Sequence, residues 1–135
     1  MQLLTWGDEF NFGISLIDRQ HKTLFDLLNQ VNSGLLKQAD IADIGSALSE
    51  LISSVDIHFR TEERLMHAHS YPGYEMHKSE HQGITKKIQE FQKAVQAGKA
   101  SLTTDMMHVF KKLLEQHILG IDKQYREFFL SKGVQ

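Results

Sequence analysis

ADIGSALSELISSVDIHFRTEERLMH, residues 42–67, decides the fold. Within it Ile44, Leu48, Leu51, Val55, His58, Glu62 and Leu65 follow one another in steps of four and three. That spacing keeps one face of an α-helix turned toward a partner, as in a coiled coil or a helix bundle. The seam begins apolar and then changes character: an imidazole and a carboxylate stand where two more aliphatic side chains would fit. A buried glutamate with no partner costs several kcal/mol or loses its charge. The seam therefore asks for something opposite His58 and Glu62.

The same pattern recurs outward along the chain. Residues 74–97 place His77, His81, Ile84, Ile88, Phe91 and Val95 on one face, and residues 18–37 do so with His21, Leu24, Leu28, Val31 and Leu35. Residues 103–130 carry Met106, Phe110, Leu113 and His117 at the same steps. Punctuation fits four helices. Asp18 is a good N-cap, Ser70–Tyr74 (SYPGY) is a turn signal, Gly98 is a C-terminal stop, and the last helix opens near Thr103 or Thr104. Residues 1–17, with Gly7 and Gly13 and no sustained period, read as an extended N-terminal arm. The expectation is an all-α, up-down-up-down four-helix bundle forming one domain over 1–135.

Composition removes other classes. The 135 residues are 41% hydrophobic and 24% charged, with a formal net charge of −2 and no long basic run, which argues against nucleic acid. No stretch approaches the roughly 20 apolar residues of a membrane span. The first residues, MQLLTWGDEF, do not read as a signal peptide, so none is expected. There is no cysteine, hence no disulfide and no thiolate site, and the expected compartment is the cytoplasm.

Four helical stretches thus bring His21, His58, Glu62, His77, His81, His117 and Asp122 toward one end of a core. A single histidine on an apolar face is more often a hydrogen-bonded core residue than a ligand. Seven such groups meeting together need a common partner, and metal ions satisfy all of them at once. Residues four apart share a helix face, so His77 and His81 can chelate one ion, while His58 and Glu62 can serve two. His117 and Asp122 are five apart, about 140° on an α-helix. Both can face inward only through a π-turn or break, which Gly120 would permit. Removing one residue there, such as Leu119, is expected to rotate the downstream helix by about 100° and impair the site. Imidazole-rich ligation with two carboxylates suits a pair of first-row ions. Iron is the natural choice, with manganese, cobalt and zinc open.

The order H…HxxxE…HxxxH…HxxxxD resembles the hemerythrin family in its single-domain bacterial form. The local matches are DRQHK around His21, HFRTEERLM from His58, YPGYEMHKSEH ending at His81, and HILGIDKQY from His117. The resemblance implies a non-haem di-iron centre (Fe2+/Fe3+, with an oxo or hydroxo bridge) that binds dioxygen reversibly, and anions such as azide when oxidised. By it His77, His81 and His117 hold one iron, His21 and His58 hold the other, and Glu62 and Asp122 bridge them. The second iron keeps an open position. Leu24, Phe59, Leu113, Leu114 and Ile118 match positions lining the gas pocket, and Leu113 stands where some members carry Trp.

Several residues stay outside the site. His67, His69 and His108 are expected to be solvated, and Met66, Met106 and Met107 to fill the core or its boundary. Trp6 should anchor the arm. Glu63, about 100° from Glu62 on the helix, should lie on the surface. Two rival functions share the bundle: a di-iron oxidase or peroxidase, and a free-standing oxygen or iron sensor. Oxidase bundles are carboxylate-rich, whereas this set holds five histidines to two carboxylates. The expectation is therefore an oxygen carrier, store or supplier rather than an enzyme, with its protein partner unspecified.

Overall fold

Each of the four seams lies on a helix in the computed structural model, which describes residues 3–97 and 103–135. The helices are α1 (Ser15–Leu36), α2 (Ile41–Ala68), α3 (Tyr74–Gln96), α4 (Thr104–Gln116) and α5 (Lys123–Ser131). A π-turn over His117–Asp122 joins α4 to α5, so the two make one rod. α1 packs on α2 and on α4, and α2 packs on α3. The result is an up-down-up-down four-helix bundle. No helix among the described residues is long and apolar enough to cross a membrane. The stop expected at Gly98 lies outside the described residues.

The first helix begins earlier than Asp18. It starts at Ser15, and the Asp18 carboxylate reaches backward to accept from the backbone N–H groups of Phe12 (2.9 Å) and Gly13 (3.0 Å). Asp18 therefore ties down the chain entering the helix instead of capping its first turn. Gly13 makes this possible with a φ of +81°, a left-handed conformation suited to glycine.

The arm ahead of it is not wholly extended. Asp8–Phe10 form a short 3-10 turn. Leu4 and the Asn29 side chain exchange two hydrogen bonds of 2.8 Å. Trp6, Phe10 and Phe25 form an aromatic cluster, and the Arg126 Nε donates to the Phe12 carbonyl at 2.9 Å. This strap lays the buried Phe12 ring edge-on to the rings of His21 and Tyr125.

Three helices end in the same way. After α1, α2 and α5 the chain turns left-handed at Gln38, Ser70 and Gly133. The next residue then donates back over five positions: Ala39 to Gly34, Tyr71 to Met66, and Val134 to Phe129. This closes the last carbonyls of each helix. α4 opens on Thr103, whose hydroxyl accepts from the Met106 N–H at 3.3 Å. At this end Met107, not Met106, is fully buried. Met107, Phe110, Leu114 and Ile118 form a second stripe beside Leu113 and His117, because a bundle helix faces two neighbours.

Candidate metal centre

The upper halves of the rods converge on seven buried side chains. His21 comes from α1, His58 and Glu62 from α2, and His77 and His81 from α3. His117 and Asp122 come from the two ends of the π-turn. Each is at most 5% exposed.

The ligand atoms fall into two overlapping groups. One holds Glu62, His77, His81, His117 and Asp122, and the other holds His21, His58, Glu62 and Asp122. Within each group one ligand atom per residue lies within 4.8 Å of all the others. Asp122 Oδ1 is 2.8 Å from His77 Nε2 and 2.9 Å from His117 Nε2, while its Oδ2 is 3.1 Å from His21 Nε2. Glu62 Oε1 lies 3.2 Å from both His58 Nε2 and His81 Nε2. Both carboxylates thus stand between the two groups, one oxygen toward each in the case of Asp122.

A cation at each group fits what the protein leaves unpaired. His58 Nε2, His77 Nε2, Glu62 Oε1 and Asp122 Oδ1 are buried and, close as they lie to one another, make no contact with hydrogen-bond geometry. Such orphans are rare inside proteins unless an ion or a water completes them. The donor set is three imidazoles plus two carboxylates on one side, and two imidazoles plus the same carboxylates on the other. That suits borderline first-row divalent ions rather than calcium or magnesium.

The charges support one another. Burial and the Asp122 charge raise the Glu62 carboxyl, but the imidazoles of His58 and His81 outweigh them and hold it at about 2. Burial likewise raises Asp122, and His117, His21 and His77 overcome it, leaving the carboxyl well below the usual range. Burial lowers His117, yet the Asp122 charge prevails and raises it. Both carboxylates are therefore anionic and ready to bind cations.

The π-turn accounts for the five-residue step. Lys123 N–H donates to the Ile118 carbonyl, five residues back, so His117 and Asp122 stand one turn apart and face the same way. Gly120 is not its cause. It is exposed, and a Cβ added there meets nothing within 4 Å. Gly120→Ala is expected to keep the metal and to change stability by no more than about 1 kcal/mol, on the favourable side; a melting curve and a metal assay check it. The register also reverses the expected effect of removing Leu119. The turn already absorbs one residue, so a shortened chain returns to α geometry with Asp122, Tyr125 and Phe129 still on the inner face.

Other expectations need revision. Glu63 is not a plain surface residue: its Oε2 is 2.9 Å from His81 Nδ1. Tyr125 carried no role in the sequence reading, yet it is fully buried, its hydroxyl donates to Glu62 Oε2, and its ring stacks on His77. Burial, followed by the Glu62 charge, pushes its pKa well up, so it stays a donor. Gln20, also unremarked, meets His58 Nδ1 at 2.7 Å. An acidic or amide residue one helical step from a candidate ligand is the sequence signal for such partners. His67 and His69 take no part, and their rings lie against Tyr74 and Phe129.

Below the ligands lies a cavity of about 60 Å³, lined by Leu24, Phe59, Leu113, Leu114, Phe110 and His117 among others. Among the described residues His117 is its one polar lining residue. Ile118, expected here, does not line it; one residue on from His117 it is turned into the packed core. His117 of the five-donor group lines it, Phe59 stacks on His81 and adjoins His58, and Leu24 is one turn beyond His21, so the cavity adjoins both groups.

Comparison with known proteins gives a consistent answer. A family model described as the hemerythrin HHE cation binding domain matches residues 13–128. A bacteriohemerythrin of Methylococcus capsulatus is 33% identical over 126 residues, covering 93% of this chain and 95% of the relative. One of Stenotrophomonas maltophilia is 31% identical, covering 94% and 82%. The crystal structure of a wild-type hemerythrin superposes with a TM-score of 0.88 at 32% identity, covering 93% of this chain and 96% of that one.

Proposed function

Because the chain belongs to the hemerythrin family, we propose that it binds dioxygen reversibly at a pair of iron ions, as a carrier, store or supplier of the gas. The observation that carries this reading is the overlap of a five-donor and a four-donor group on the same two carboxylates, Glu62 and Asp122. In this reading His77, His81 and His117 would hold one ion and His21 and His58 the other, with Glu62 and Asp122 available to both. When bound, the iron pair supplies electrons to dioxygen and recovers them on release.

The remaining work falls to the protein. Having one donor fewer, the His21–His58 side has room for an exogenous ligand. The cavity adjoining the centre is several times the ~10–15 Å³ that a single water-sized sphere requires, so a diatomic gas or a small anion such as azide fits. Leu24, Phe59, Leu113 and Leu114 keep bulk water out. Among the described residues no carboxyl, lysine or hydroxyl side chain lines that cavity, so none of them stands ready there as an acid to protonate reduced oxygen and drive it off. This favours binding over oxidase chemistry. The same reading takes residues 1–135 as one domain and places it in the cytoplasm, where a chain without cysteine needs no oxidising compartment. It gives the protein neither nucleic acid nor a membrane as partner.

The test is spectroscopic. Iron-loaded, reduced protein should be nearly colourless, gain a charge-transfer band on exposure to oxygen, and lose it when the gas is removed. The oxidised protein should change spectrum with azide. Irreversible bleaching with peroxide released in a single cycle would favour the oxidase alternative.

A further inference from the structure

Two side chains outside the ligand set contact ligand imidazoles from behind, and they differ in charge. Glu63 Oε2 lies 2.9 Å from His81 Nδ1. A carboxylate can only accept, so His81 must carry its proton on Nδ1 and turn the Nε2 lone pair to the site. The ring is fixed further by Phe59, which stacks on it at 3.8 Å with an interplanar angle of 4°. Arg60 does not neutralise Glu63, because it is held by Asp56 at 3.1 Å.

On the other side the partner is neutral, and its direction is set by a chain of hydrogen bonds. The Thr61 hydroxyl donates to the Ile57 carbonyl at 2.9 Å, so its oxygen accepts from Gln20 Nε2 at 3.2 Å. That leaves Gln20 Oε1 to face His58 Nδ1 at 2.7 Å. His58 therefore also donates from Nδ1 and presents Nε2 to the site. One backbone carbonyl thus fixes the tautomer of a ligand through two intervening side chains.

We infer that Glu63 and Gln20 are positioning residues that make the two metal positions unequal, the anion behind His81 tightening the five-donor position relative to the four-donor one. This rests on the two-ion reading above. Both positions share Glu62 and Asp122, and among the described residues only the five-donor position has a third carboxylate hydrogen-bonded to one of its imidazoles. A carboxylate behind a ligand histidine raises its basicity, and losing such a partner typically costs 10–100-fold in metal affinity. The weaker position is then the four-donor one, which has room for an exogenous ligand.

Stepwise titration of the metal-free protein with cobalt(II) against a competing chelator tests this, together with proton NMR of the cobalt-loaded protein. The wild type should bind two ions in separable steps and show a slowly exchanging, hyperfine-shifted His81 Nδ1–H. Glu63→Gln keeps an acceptor and removes the charge: the tighter step should weaken about tenfold, the other step should hold, and the N–H signal should persist. Glu63→Leu should weaken the same step further and expose that proton to exchange. Gln20→Glu should tighten the weaker step. If Glu63→Gln leaves both steps unchanged, the inference is overturned; because it is isosteric, this arm does not depend on the Leu variant folding. If the wild type binds a single ion, the two-ion reading falls. The Glu63 assignment is then judged by that ion's affinity and the same N–H signal.

Discussion

Glutamine in place of Glu62 is expected to reduce the iron content from two ions per chain to one or none. Glu62 is fully buried and belongs to both donor groups. An amide offers one oxygen and no charge, so it cannot bridge two cations. The change also deprives the Tyr125 hydroxyl of a charged acceptor, an interaction worth about 1.5–3 kcal/mol. Metal content and stability should therefore fall together, since binding to a preformed site is coupled to folding. His69→Ala is the control, because His69 lies against Phe129 away from the ligands. Elemental analysis of both variants after expression with ample iron decides the matter. Two irons in the Glu62→Gln protein would remove Glu62 from the ligand set.

Stripping the metal should lower the melting temperature by on the order of 10 °C or more. A ligand that binds only the folded state at about 1,000 times its Kd stabilises it by about 4 kcal/mol, and each kcal/mol moves the midpoint of a domain this size by a few degrees. The metal-free protein must also hold buried polar atoms that make no well-formed hydrogen bond, including His58 Nε2 and Glu62 Oε1. Acid should have the same effect as a chelator, since imidazole must be deprotonated to bind a cation. Calorimetry with and without chelator at neutral pH, followed by restoration with ferrous iron, measures the difference. Superimposable melts would show that the cluster is satisfied without an ion.

The seams and the ligand positions were legible because they obey periodicity. Steps of three and four along residues 44–65 and 77–95 have few readings other than a bundle helix, and polar residues on such a seam stand out against their neighbours. Even a departure from α geometry between His117 and Asp122 could be foreseen, as a π-turn or a break, and the structure takes the π-turn. Helix ends were harder. Gln38 and Ser70 adopt the left-handed conformation without being glycine, so residue type does not reveal how either helix closes, although SYPGY marks where α2 stops. The start of α1 was misjudged for a related reason: Asp18 serves backbone groups on its N-terminal side, a direction that residue type does not reveal. Glu63, Gln20 and Tyr125 were missed because their roles depend on contacts across helices. A glutamate beside a candidate ligand looks the same whether it meets water or an imidazole on the next helix.

The wide sequence separation of the ligands has a mechanical consequence. His21 and Asp122 meet although 101 positions separate them, and His81 and His117 meet across 36. Ions gripping such residues would staple all four rods at one end, in a chain with no disulfide to do so. Such a staple acts as disulfides do, by denying the unfolded chain large loops, and its effect grows with the loop closed. Pulled from its two ends, the loaded protein should resist until a ligand bond breaks and then give way abruptly, whereas the stripped bundle should open at lower force, helix by helix.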